Sequence, residues 1–155
     1  MILKRVICFL MLISLGGVMK FEKLVECFDF VQEIKVTLQG EEICLEKGND
    51  KFEVLINTLK EITNNSHEMP AFGVSIDELT REDMKNGLWI ELCFDGVQSF
   101  EAMDFEGLLI KVEKDFHGFN LIRRNNGKYD GRCFYLSLQN SMDKLYEEIE
   151  GLSLK

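Results

Sequence analysis

Leu88-Trp89-Ile90-Glu91-Leu92-Cys93-Phe94-Asp95 decides the fold. Its bulky apolar residues recur at every second position, the period of a strand with one buried face. Leu108–Glu113, Phe119–Arg124 and Arg132–Leu138 alternate in the same way. Turn-forming residues separate the last three: Asp115–Gly118, then Asn125-Asn126-Gly127. Asp95-Gly96 marks a further turn after the first strand. Four strands with short connections predict an antiparallel meander. Residues 97–107 fit neither a clear strand nor a clear loop.

Alternation sorts the side chains between two faces. One face receives Leu88, Ile90, Leu92, Phe94, Leu108, Ile110, Val112, Phe119, Leu121, Phe134, Leu136 and Leu138. All are aliphatic or aromatic, so this face is the expected core. The other receives Trp89, Glu91, Cys93, Leu109, Lys111, Ile122, Arg124, Cys133, Tyr135 and Ser137. It mixes aromatic rings with both signs of charge.

Outside the meander the period lengthens to that of a helix. Phe21, Leu24, Val25, Phe28 and Val31 make one apolar stripe, and Phe52, Leu55, Ile56, Leu59 and Ile62 another over Asp50–Asn64. Asp50 with Glu53 resembles a capping box. Ile34–Leu38 and Ile43–Leu45 flank Gln39-Gly40-Glu41 and read as a hairpin. Residues 65–79 read mostly as loop, and Thr80 caps a brief helix that stops at Asn86-Gly87. Ser141 caps a final helix with a stripe of Met142, Leu145, Ile149 and Leu152. The expected class is α+β: an antiparallel four- to six-stranded sheet with helices packed mainly on one face.

The chain has 155 residues, one domain's worth, and residues 19–155 read as a single α+β domain. Lys4 and Arg5 precede Val6–Met19, a stretch without charge that is too short to span a bilayer. Residues 1–18 therefore read either as a signal-like segment or as the product of a start assigned too far upstream. Leu15-Gly16-Gly17-Val18 has codons compatible with a ribosome-binding string ahead of Met19. A start at Met19 implies a cytoplasmic protein and is favoured. A retained or processed leader implies secretion or membrane anchoring.

The net charge is −9, which excludes general nucleic-acid binding, since phosphate contacts require a basic surface. Five cysteines occur without any C-x-x-C, and the two histidines lie fifty positions apart, so no metal site is written here. There is no Walker loop, no G-x-G-x-x-G and no G-x-S-x-G elbow. No catalytic residue and no cofactor is assigned. A nucleophile built from Cys93 or Cys133 with His117 has only shared neighbourhood in its favour.

One basic segment stands out. Phe119–Tyr135 holds Arg123, Arg124, Lys128 and Arg132 against Asp130 alone. Arginine forks bind carboxylate or phosphate bidentately, and Trp, Tyr and Arg are enriched at binding hot spots. Trp89, Glu91, Arg124, Lys128, Arg132 and Tyr135 are thus the candidate binding residues. The expected function is a small acidic, non-enzymatic binding module that uses the outer sheet face for a protein or a small anionic ligand. Two readings compete with it. One is a small enzyme with Glu91, His117 and Arg124 in an acid–base cleft. The other has the amino-terminal hairpin or helix covering the face. If Arg124 and Arg132 serve a partner, their loss leaves the melting temperature nearly unchanged.

Overall fold

A computed structural model of the chain describes residues 22–69 and 73–153. The alternative readings of residues 1–18 lie outside these. The first described helix covers residues 22–27 (α1), and a 3-10 turn, Phe28–Phe30, leads into the hairpin Val31–Leu38 (β1) and Glu41–Glu46 (β2). Then come α2 (Asp50–Asn64), β3 (Ser66–Glu68), β4 (Val74–Ser75) and α3 (Asp77–Asp83). The meander follows as β5 (Leu88–Phe100), β6 (Met103–Val112), β7 (Gly118–Arg124), β8 (Gly131–Arg132) and β9 (Phe134–Leu138). Helix α4 (Asp143–Ser153) is last.

The fold is α+β, with a sheet ordered β2-β1-β5-β6-β7-β9-β3, every neighbouring pair antiparallel. The meander forms its centre as the alternation requires. The strand count reaches seven because the amino-terminal hairpin joins one edge and β3 the other. The hairpin does not cover the outer face. Its Lys35 and Thr37 pair in register with Glu91 and Trp89, so it extends the same layer. A two-stranded ribbon, β4 with β8, stands apart from the sheet.

The core lies on the face that alternation assigns to it. Leu88, Ile90, Leu92, Leu108, Ile110, Val112, Phe119, Leu121, Phe134, Leu136 and Leu138 are buried with Leu55 and Leu59 of α2 and Leu145 and Ile149 of α4. Thr58 donates to Glu148 at 2.9 Å and ties the two helices together. Helix α2 has the expected bounds, but Asn49 caps it, accepting from the Lys51 N–H at 2.9 Å. Asn49 keeps extended backbone angles while Asp50 is already helical, so Asp50 cannot cap. Ser141 stands one residue before the cap position of α4, which Met142 takes by accepting the first helical bond from Tyr146, and Ser141 accepts from the Asp143 N–H at 3.3 Å.

Two local readings change. Thr80 lies inside α3, and its N–H donates to Ile76. The helix thus begins at Asp77, earlier than the Thr80 cap implies. Asp95-Gly96 does not turn the chain. β5 runs on to Phe100, and its pairing with β6 jumps from Cys93↔Gly107 to Gln98↔Phe105. Gly96, at φ +84°, supplies the left-handed residue in this bulge. The turn falls at Glu101 and Ala102, both with positive φ, as a two-residue primed turn requires. No helix among the described residues is long and apolar enough to cross a membrane.

Candidate functional site

On the outer face, α3 and the turn after β7 cover part of the sheet. Trp89 and Leu109 are buried with Tyr129 in a second apolar cluster, edged by Met84 and Ile122. The Trp89 Nε1–H donates to the Asn86 carbonyl at 2.7 Å. Lys111 lies over the indole at 5.4 Å and reaches Asp83 at 3.5 Å.

Beside this cluster sits a closed polar network. Glu91 is 6 % exposed. Its Oε1 accepts from Arg124 Nε at 2.5 Å and its Oε2 from the Tyr129 hydroxyl at 2.7 Å. Arg124 also reaches Glu106 at 3.2 Å. Burial, then the Glu91 carboxylate, pushes the Tyr129 phenol far above the ordinary tyrosine range, so it remains a donor. Gly107 makes the network possible. A Cβ there would lie 2.8 Å from Glu91 Oε1 and 2.9 Å from an Arg124 nitrogen. Glycine is needed at the point where the β5–β6 register slips.

The network also anchors α3. Asp77 accepts from Arg81 Nε at 2.9 and 3.0 Å and from the Tyr129 N–H at 2.8 Å. Arg81 continues to the Gly127 carbonyl and covers the Tyr129 ring at 4.9 Å. The Arg81 bond, then the Tyr129 N–H, holds the Asp77 carboxyl below the usual carboxylate range. A depressed folded pKa gives a contribution that is complete above the ordinary aspartate value and lost as pH falls through the folded one. Acidification below pH about 4 is therefore expected to release α3. Trp89, the single tryptophan, lies beneath α3 and reports the release by fluorescence. Asp77→Asn should flatten that acid-side change. An unaltered acid limb in the variant would disprove the role given to Asp77. Asp143 is depressed as well, chiefly by the Asp115 N–H, but it lies in the first turn of α4 and acts alike in both proteins.

Among the described residues, α3 and the turn after β7 leave two clefts over β7 and β9, which together form a groove. One cleft, of about 290 Å³, lies between Val74, Ile76 and Leu79 on the α3 side and Asn120, Ile122, Cys133 and Tyr135 on the sheet. A second, of about 330 Å³, lies between Met69, Phe116 and His117 and the same Asn120 and Tyr135. The two clefts meet at those two cross-strand partners. Val74 is 62 % exposed and Leu79 65 %, and Ile76, Met69 and Phe116 are also exposed large apolar residues.

No family model matches this chain, and neither a curated protein nor a solved structure does. What the site does must then be read from its own chemistry.

The structure brings Glu91 and Arg124 together but removes both from the open surface. Trp89, which the outer-face reading exposes, is buried at 2 %. Arg124 is committed to Glu91 and Glu106, so its replacement cannot leave stability unchanged. Of the two aromatic candidates, Trp89 borders only the first cleft from its buried position, whereas Tyr135 lines both, its phenol raised by burial and the neighbouring Cys133 thiol. Lys128 is exposed in the turn after β7. Arg132 is exposed on β8, directly across from Val74. His117 precedes β7 while Arg124 ends it, which separates them by roughly 20 Å at about 3.3 Å per residue. The acid–base trio therefore does not assemble. Cys93 is pushed up to about 11 by burial and by Glu91, so it is a neutral thiol near pH 7 and not an activated nucleophile. Among the described residues no three His, Cys, Asp or Glu side chains cluster to hold a metal ion.

Asn120, Val74, Ile76 and Leu79 were not among the sequence candidates. The signal was the alternation Val74-Ser75-Ile76 inside a stretch read as loop.

Proposed function

We propose that this protein is a non-enzymatic binding module and that its working surface is the groove over β7 and β9. One observation carries the reading: five of the exposed large apolar side chains, Met69, Val74, Ile76, Leu79 and Phe116, line two adjoining clefts that share Asn120 and Tyr135. Exposed apolar residues scattered singly need no explanation, but a contiguous set beside a concave surface marks an interaction site. The charges nearby support binding over acid–base chemistry. Both oxygens of Glu91 are engaged, and the histidine stands at the far end of β7.

Photo-crosslinking in native cells tests this. A benzophenone amino acid at Val74 or Leu79 should form discrete adducts. The same group at Val97, exposed on the β5 bulge away from the groove, should not. Equal adducts from all three positions, or none from the groove, would overturn the proposal.

A further inference from the structure

We infer that the groove receives an extended apolar peptide segment bearing a carboxylate, read by Asn120 on the floor and by Arg132 at the rim. The inference rests on the groove being the binding surface and adds the chemistry of its occupant.

Asn120 lies where the two apolar clefts meet. Its side chain is exposed and has no hydrogen-bond partner among the described residues. A primary amide offers donors and an acceptor within a few ångströms. That pair matches the N–H and C=O of a peptide group, which likewise needs both satisfied when it leaves water. A purely aliphatic ligand would leave the amide unpaired as it covered it, at a cost. The clefts on either side of Asn120 then take side chains. Gly118 and Ile122, which lie at the two clefts, are about 13 Å apart along β7 at roughly 3.3 Å per residue. An extended segment spans that distance with two large apolar residues a few positions apart.

The charge comes from Arg132. Four arginines lie among the described residues, and three are engaged within the protein. Arg81 holds Asp77 and Gly127, Arg123 holds the Arg132 and Asp104 carbonyls, and Arg124 holds Glu91 and Glu106. The Arg132 guanidinium has no partner among the described residues, and it shares a ribbon position with Val74 on the groove wall. Residues directly opposite in an antiparallel pair place their side chains on one face, about 5 Å apart at Cβ. The one guanidinium without a partner among the described residues therefore stands beside Val74 on the groove wall. A carboxylate is its natural partner.

Selection from a random linear peptide library displayed on phage, with counter-selection on Leu79→Asp protein, tests the occupant. Selected peptides should carry two large apolar residues and an Asp or Glu. In fluorescence polarisation, Asn120→Leu should weaken them about tenfold. Arg132→Gln should weaken acidic peptides about fivefold and leave their Glu-to-Gln versions unchanged. Thermal melting of both variants should match wild type, since neither side chain has a hydrogen-bond partner among the described residues. Equal loss on acidic and neutral peptides, or no effect of Asn120→Leu, would overturn the recognition scheme. Binding of laurate with no peptide enriched over Leu79→Asp protein would overturn the peptide in favour of a free amphipathic acid. Crosslinks from Val74 and Leu79 without any selected peptide would refute this inference while the binding-module reading stands. Absence of both would refute the two together.

Discussion

Phe105→Ala is expected to lower the unfolding free energy by about 3–5 kcal/mol, or the melting temperature by roughly 10–15 °C for a domain of this size. Phe105 is fully buried. Its ring meets Phe94 edge-on at 5.3 Å and Phe134 at 5.9 Å, and Phe134 in turn meets Phe100 at 5.2 Å. These rings close the core beneath the bulged end of β5 and β6. Removing the central one opens a cavity and loses both of its ring contacts, and the strands cannot collapse to fill it because the main sheet fixes them. Urea unfolding of the variant and of Phe105→Leu measures the effect. The leucine should recover more than half of the loss, since much of the volume returns. A loss under about 1 kcal/mol for alanine would mean that this end unfolds outside the cooperative core.

The region around Phe105 also shows where sequence reasoning stops. From Leu108 to Val112 the even-numbered residues face the core, whereas Met103 and Phe105 also pack there. The phase slips by one between Phe105 and Leu108, opposite the β5 bulge. A period-two template breaks at such a slip, which is why residues 97–107 fit nothing. The turn hid for a related reason. Glu101 and Ala102 adopt positive φ, and neither type announces it as Asn-Gly does. Asn126 and Gly127, which do announce it, turn where expected. Elsewhere the alternation was strong and the burial followed, because a one-residue shift would have exposed every Leu and Ile of a strand at once.

The outer face was legible in composition and not in coverage. Trp89, Glu91, Arg124 and Tyr135 do share a face, as the alternation says. That α3 and the turn after β7 together cover the first three and leave Tyr135 lining a groove depends on Asp77 reaching Tyr129 across fifty-two positions. Such long-range pairing leaves no periodic trace. The basic segment after β7 read as one patch, yet its arginines have separate fates. Arg123 and Arg124 turn to opposite sides of the strand and are consumed, while Arg132 on the small ribbon has no partner among the described residues.

Glu91→Ala is expected to cost about 3–5 kcal/mol, far more than a surface ion pair would. Deleting the carboxylate leaves the Arg124 guanidinium, itself only 24 % exposed, without its closest partner and the Tyr129 hydroxyl without an acceptor. The penalty is the unpaired charge more than the lost attraction, which a double-mutant cycle can separate. Tyr129→Phe alone should cost about 1 kcal/mol. Arg124→Met with Glu91→Leu should recover most of the stability lost by Glu91→Ala, since a buried pair replaced by apolar groups of similar volume is often neutral. Raising the salt should change the Glu91→Ala cost little, because the pair is shielded from solvent ions. The effect should also reach the groove. Tyr129 carries the N–H that holds Asp77, and Asp77 begins α3, whose Leu79 forms the groove wall. Trp89 fluorescence of the Glu91→Ala protein should therefore show a loosened α3 before the sheet unfolds. A cost below about 1 kcal/mol, or α3 release only together with global unfolding, would mean the polar network is an ornament of the outer face and not what sets the wall in place.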